Sequence, residues 1–316
     1  TLGVTELNLP SNPIGQPYGA PSGVRPGADV GVEMKPGVWG KHDGRYFVLL
    51  APDDGDYYRV QWIDDGGEDY LYVGQHLHLV ASRANLIEDY SHIERLGEAV
   101  SGSGILKLDL SDCRFNPSST AALSASISWD TAPLRELTLS GCGLTGGRDY
   151  SSDDDEAVWE PQSDRWEAVD SDMAGFTALC SSFACSSTLH TVALADCGLG
   201  DGAAAQLATA VKGGTITSID WSHNSISSDP IGGWTELCAA IAQSSVATAK
   251  FTNCDLGAET LIPLTQAMRG SLAHLCISEN RIGVEGADAL LSEVATSNLQ
   301  TIEVAAGTPL PIREQF

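Results

Sequence analysis

The sequence predicts an α/β solenoid, with parallel strands on the concave side and helices on the convex side, interrupted near its start by a small antiparallel β-barrel. Three observations carry this. A phrase of the form apolar-x-x-apolar-x-apolar-x-x-Cys/Asn-x-apolar recurs along most of the chain. The stretches behind it, such as GDGAAAQLATAVKGG after Leu199 and GVEGADALLSEVATSN after Ile282, place Ala and Leu at helical spacing after Gly and Asp that supply turn and cap chemistry. Between Gly27 and Val80 the pattern becomes short alternating strands, with Asp43-Gly44, Asp54-Gly55 and Asp65-Gly66 as turn signals.

Residues 1–20 hold the first copy, as Val4, Leu7, Leu9, Asn12 and Ile14. The next runs Ile105, Leu108, Leu110, Cys113, Phe115, and is followed by Leu134, Leu137, Leu139, Cys142, Leu144 and by Leu189, Val192, Leu194, Cys197, Leu199. Further copies are Ile216, Ile219, Trp221, Asn224, Ile226, then Val246, Ala249, Phe251, Cys254, Leu256, then Leu272, Leu275, Ile277, Asn280, Ile282. Leu299, Ile302 and Val304 begin another. This spacing is the leucine-rich repeat signature, in which a short strand and a helical return form one unit and neighbours stack to share a core. The Cys/Asn place has its own reason. The backbone turns inward after the strand, and a thiol or an amide there can pair the polar groups that the turn buries. Cys113, Cys142, Cys197 and Cys254 are therefore read as structural thiols. Cys180, Cys185, Cys238 and Cys276 show no CxxC pairing and no His at metal spacing, so reduced thiols in an intracellular compartment, cytoplasmic or nuclear, are expected.

From Asn12 to Cys113 is 101 residues, against 29 from Cys113 to Cys142, so about 70 residues are inserted in or after the first copy. Residues 25–81 supply most of them. With Trp39, with Tyr46 seven residues on, and with Trp62-Ile63-Asp64-Asp65-Gly66, this stretch resembles a Tudor or Agenet-type SH3-like barrel. Tudor domains that read methylated lysine or arginine use an aromatic cage, because a methylated cation has lost its donors and is held by π-faces and a nearby carboxylate. The resemblance implies Trp39, Tyr46 and Trp62 as the cage and Asp64 as its acidic wall. The further aromatic common after the Asp pair is replaced by Gly66, a gap that Tyr70 or Tyr72 would have to close. The competing reading is that these aromatics pack a core too small to close without them.

Repeats resume over residues 82–148. Cys142 to Cys197 is 55 residues, which leaves room for a second insertion at 149–172, where ten acids and one Arg surround Trp159 and Trp166. So charged a stretch cannot bury enough surface to hold a shape alone, and its first half is expected to be a mobile loop. Asp153, Asp154, Asp155 and Glu156 lack the alternating spacing and central Gly of an EF-hand Ca²⁺ loop. The arm either folds over the solenoid, or grips a basic partner through its Trp pair, or is a solvated excursion with both Trp tucked against a neighbouring helix. Residues 173–316 complete the repeats at steps of 27, 30 and 26 residues, a long class that resembles the ribonuclease-inhibitor-like group over residues 1–14 and 105–304. The chain starts within a repeat and stops soon after a strand, so a fragment, or ends covered by a partner, is expected.

The formal charge is −25, with 42 acids against 17 bases, which argues against direct contact with nucleic acid. That field either draws in basic partners or only maintains solubility. No run of eighteen apolar residues exists, so no membrane span is expected. GxxxxGK[ST], GxSxG and HExxH are all missing, and His76 and His78 have no third ligand nearby, so no catalytic centre, metal or cofactor is expected. Outward positions expected on the concave face are Lys107, Asp109, Arg135, Glu136, Thr138, His190, Thr191, Asp220, Ser222, His223, Lys250, Thr252, His274 and Glu279. The expected function is a non-enzymatic scaffold that holds a protein partner on that face, with the barrel as a second docking or peptide-reading site for a basic or methyl-lysine segment. Two alternatives stand beside it. The repeat class includes GTPase-activating proteins of the Ran type, for which Arg135 and Arg281 are the available fingers. A structural subunit of a large assembly is the other.

Overall fold

Leu7, Leu108, Leu137, Val192, Ile219, Ala249, Leu275 and Ile302 stand side by side, each on a strand hydrogen-bonded in parallel to the next. The computed structural model describes residues 4–11, 14, 39–42, 45–52, 57–62, 68–72, 78–80, 90–149, 166–226, 231–304 and 310–311. Its elements begin with β1 (Glu6–Asn8), β2 (Trp39–His42), β3 (Arg45–Pro52), β4 (Tyr57–Trp62), β5 (Glu68–Tyr72) and β6 (His78–Val80). Then come α1 (Ser91–Ser101), β7 (Lys107–Asp109), α2 (Pro117–Ser126), β8 (Glu136–Thr138), β9 (Arg148–Asp149), β10 (Trp166–Glu167), α3 (Ala174–Cys185) and β11 (Thr191–Ala193). The remainder is α4 (Asp201–Gly213), β12 (Ser218–Asp220), α5 (Gly232–Ala242), β13 (Thr248–Lys250), α6 (Ala258–Ala267), β14 (His274–Cys276), α7 (Gly283–Val294), β15 (Thr301–Glu303) and β16 (Leu310–Pro311).

Two compact units result. One joins residues 1–16 to 90–316, and the other is residues 17–89. In the first, the sheet order is β1-β7-β8-β11-β12-β13-β14-β15-β16, parallel through β15 and antiparallel at β16. Parallel neighbours need a crossover, and a helix supplies it between successive strands. This is an α/β repeat solenoid. The middle strand residue points under the helices and is buried in every strand from β7 to β15, and each such aliphatic side chain contributes about 1.5–3 kcal/mol.

The Cys/Asn position is a ladder with two kinds of rung. Asn224 donates from Nδ2 to Leu194 O (2.8 Å) and Trp221 O (2.9 Å), and its Oδ1 accepts from Cys197 N (2.9 Å) and Leu199 N (3.1 Å). Asn280 repeats this with Phe251 O, Ile277 O, Cys254 N and Leu256 N. A Cys rung donates backward to the preceding repeat: Cys113 to Leu9 O (2.9 Å), Cys197 to Leu139 O (3.1 Å) and Cys254 to Trp221 O (3.5 Å). The residue just before each rung turns through a left-handed conformation, at Ser11, Asp112, Gly141, Asp196, His223, Asn253 and Glu279, with φ between 50° and 74°. Such a turn tolerates Gly, Asn and Asp best. His223 and Glu279 were expected among outward strand positions. They are turn residues instead, because the strand has already ended.

Helix packing follows a second column. Each helix carries a Leu followed by a residue that faces the next helix: Gly97, Ser124, Cys180, Ala208, Cys238 and Thr265 in α1 to α6. All six are small and buried. A Cβ on Gly97 would lie 1.9 Å from Ser126 Oγ of α2, and Ser124 Oγ meets Ser182 Oγ of α3 at 2.9 Å. Small side chains here let neighbouring helices approach closely. Capping also crosses between repeats. Gly200 and Ile231 start α4 and α5 without a capping side chain of their own. Asp170 accepts instead from Gly200 N and Ala203 N, and Asp201 from Gly233 N (2.9 Å) and Trp234 N (2.8 Å). A carboxylate at a helix N-terminus pairs free N–H groups and opposes the dipole.

In the second unit, β2 to β6 form a five-stranded antiparallel sheet in the order β5-β4-β3-β2-β6. Consecutive strands form a meander, and the last strand returns to pair with the first.

Candidate functional site

The helix-free face of the parallel sheet displays two outward rows, set by the period-2 alternation of a strand. One reads Glu6, Lys107, Glu136, Thr191, Ser218, Thr248, His274, Thr301, and the other Asn8, Asp109, Thr138, Ala193, Asp220, Lys250, Cys276, Glu303. Of the expected face residues, Lys107, Asp109, Glu136, Thr138, Thr191, Asp220, Lys250 and His274 stand in these rows. Arg135 and His190 are exposed but sit one residue ahead of their strands, and their carbonyls hold the next repeat through Thr191 N and Ser218 N. Ser222, also expected outward, is buried, and its Oγ accepts from Thr252 N. Glu6, Asn8, Ala193, Ser218, Thr248, Cys276, Thr301 and Glu303 were missed. Their signal was present, since they flank the middle apolar residue of each phrase.

Both lysines of these rows are paired across strands. Lys107 Nζ meets Glu136 Oε2 at 2.9 Å, and Lys250 Nζ meets Asp220 Oδ2 at 3.2 Å. The hydrogen bond to Glu136, reinforced by its charge, raises the pKa of Lys107 above the usual lysine value. Between the two pairs, β11 presents only Thr191 and Ala193. The face is thus a saddle of short side chains with an ion pair standing on either side. A shallow depression of about 160 Å³ lies at one end, lined by Glu6, Asn8, Lys107, Leu108, Asp109, Glu136 and Thr138.

Of the four expected cage residues, Trp62 is the one whose side chain lies among the described residues. Trp62 is 6% exposed and lies edge-on to Phe47, with ring centroids 5.9 Å apart. Along the backbone, Phe47 pairs with Trp62 and Trp39 with Val48. Trp62 is a core residue of its sheet, beside the buried Phe47 and Val60. Asp64 lies outside the described residues. So do Asp153 to Glu156 and Trp159 of the acidic insertion.

The end of that insertion is anchored. Trp166 and Glu167 pair with Asp149 and Arg148 as a two-stranded ladder. Trp166 Nε1 donates to Asp196 Oδ1 at 2.8 Å, and a Cβ on Gly198 would lie 2.9 Å from the indole ring. Trp166 therefore packs on the turn of the following repeat, as the fold-over reading expected for this end of the arm. The cysteine thiols of the core are shielded. Burial pushes Cys142 up to about 11 and Cys254 up to about 12, and raises Cys180, Cys197 and Cys238 as well. A thiol held neutral is neither nucleophile nor ligand at neutral pH. Among the described residues, no helix is long and apolar enough to cross a membrane.

No family model matches the chain, and no curated protein matches it. Among solved structures, the tropomodulin C-terminal domain of Caenorhabditis elegans is similar over 57% of this chain and 91% of that chain, at 13% sequence identity and a TM-score of 0.38.

Proposed function

We propose that this chain is a non-enzymatic interaction scaffold of the leucine-rich repeat, ribonuclease-inhibitor-like kind, acting in an intracellular compartment. It holds one protein partner on the open face of its parallel ribbon. The single observation behind this reading is the saddle at β11: Thr191 and Ala193 leave room for a partner's side chains, and the Lys107–Glu136 and Asp220–Lys250 pairs on either side provide both signs of charge for orientation. The five-stranded antiparallel sheet acts as a second docking or peptide-reading module, an SH3-like barrel of the Tudor type. A Ran-type GTPase activator is less well supported, because Arg135 and Arg281 are separate exposed side chains on different repeats.

Lysine-directed crosslinking in native extract tests the reading. Lys107 and Lys250 stand on the open face, whereas Lys212 is exposed at the end of α4 on the helix side. Partner crosslinks are expected at Lys107 and Lys250. Crosslinks concentrated at Lys212 would reverse the assignment of the binding face.

A further inference from the structure

Among the described residues, α7 departs from the six helices before it. At the column that holds Gly97, Ser124, Cys180, Ala208, Cys238 and Thr265, α7 carries Leu291, which is 64% exposed where the others are at most 9% exposed by residue area among those quantified. Val284, two helical turns earlier on the same face, is 73% exposed. This is the face that every preceding helix covers with its successor. A further repeat is a poor fit to it. Its strand would need the free edge of β15, which β16 already occupies in antiparallel register with Pro311 opposite Thr301. Its helix would also meet a Leu where close approach requires a small residue.

Charge narrows the occupant. The α7 segment, GVEGADALLSEV, has Glu285 and Asp288 exposed beside the apolar pair and carries no Lys or Arg. Of the neighbouring cations, Arg269 is bound to Glu293 through Nε (2.8 Å) and Nη2 (2.6 Å), and Arg281 is exposed just ahead of the helix, where Glu279, Glu285 and Asp288 outnumber it. A second copy of the chain would bring these carboxylates together. We propose that the outer face of α7 docks a basic amphipathic helix of a partner protein, with apolar anchors at helical spacing over Val284 and Leu291 and flanking Lys or Arg over Glu285 and Asp288. This surface is separate from the open face of the sheet.

The test uses the full chain and two synthetic helical peptides, each with Leu at i, i+4 and i+7, one flanked by Lys and Arg and its twin by Glu. Titration calorimetry gives affinity, and methyl NMR at Val284 and Leu291 reports the place. The basic peptide is expected to bind and shift those methyls, the acidic twin to bind at least about tenfold more weakly, and the V284Q/L291Q variant to lose at least about tenfold in affinity. The unfolding midpoint of that variant should be unchanged, since both side chains are exposed. Equal affinity for the twins, binding of neither, or a concentration-dependent dimer that V284Q/L291Q abolishes would each overturn the proposal. The open-face variant A193R should leave the peptide affinity as it is, so a failure of one surface does not stand for a failure of the other.

Discussion

Two columns run through the same repeats a few residues apart and are built to opposite rules. The rung column admits Cys or Asn, is buried from Cys113 to Cys254, and commits its bonding capacity to neighbouring turns. The outward rows admit Asp, Glu, Lys, His, Asn, Ser, Thr, Ala and Cys, and their two lysines meet carboxylates across the surface. The difference separates what holds the ribbon from what is free to recognise a partner. Within the rung column itself, an Asn ties two repeats through donors and acceptors, while a Cys gives one weak donor.

The largest expected effect tests that inner contrast. Asn224→Ala should cost about 3 kcal/mol or more in urea unfolding, because it strands two buried N–H groups and two buried carbonyls at once. Cys142→Ala should cost less, about 1–2 kcal/mol, and it carries a pH signature. A thiol whose folded pKa is raised contributes stability that is complete below its unfolded value and is lost as pH climbs through the folded one. For Cys142 that window opens at 9.0 and closes at about 11. Unfolding midpoints of the wild type should therefore fall more steeply between those pH values than those of Cys142→Ala. Next in size, Asp201→Ala should cost about 1 kcal/mol by removing the α5 cap from the repeat before it. Smallest of all, Lys250→Ala should change stability by less than about 0.5 kcal/mol, as expected for an exposed ion pair. A large loss there would erase the distinction between the columns.

Much of the ribbon was legible because its signal is local and periodic. Leu108, Leu137, Val192, Ile219 and Leu275 sit where the apolar phrase placed them, and the Cys/Asn rung was readable from burial logic alone. Features that join different repeats were not legible. Asp201 looked like local cap chemistry for the helix it begins, yet it caps α5, more than thirty residues on. The turn before each rung is filled by Ser, Asp, Gly, His, Asn and Glu, so no single residue type marks it. His223 and Glu279 were misread for that reason. The small residue after each helical Leu carries no chemistry in isolation, and only stacking reveals it as a packing column.

The central claim is that the outward rows, and the saddle at β11 above all, form the partner-binding surface. Affinity of the partner that crosslinking identifies should be measured for wild type, A193R and the helix-side control K212E. The account predicts a loss of at least about thirtyfold for A193R, with an unchanged unfolding midpoint and no loss for K212E. Undiminished affinity in A193R, or a loss confined to K212E, would contradict it.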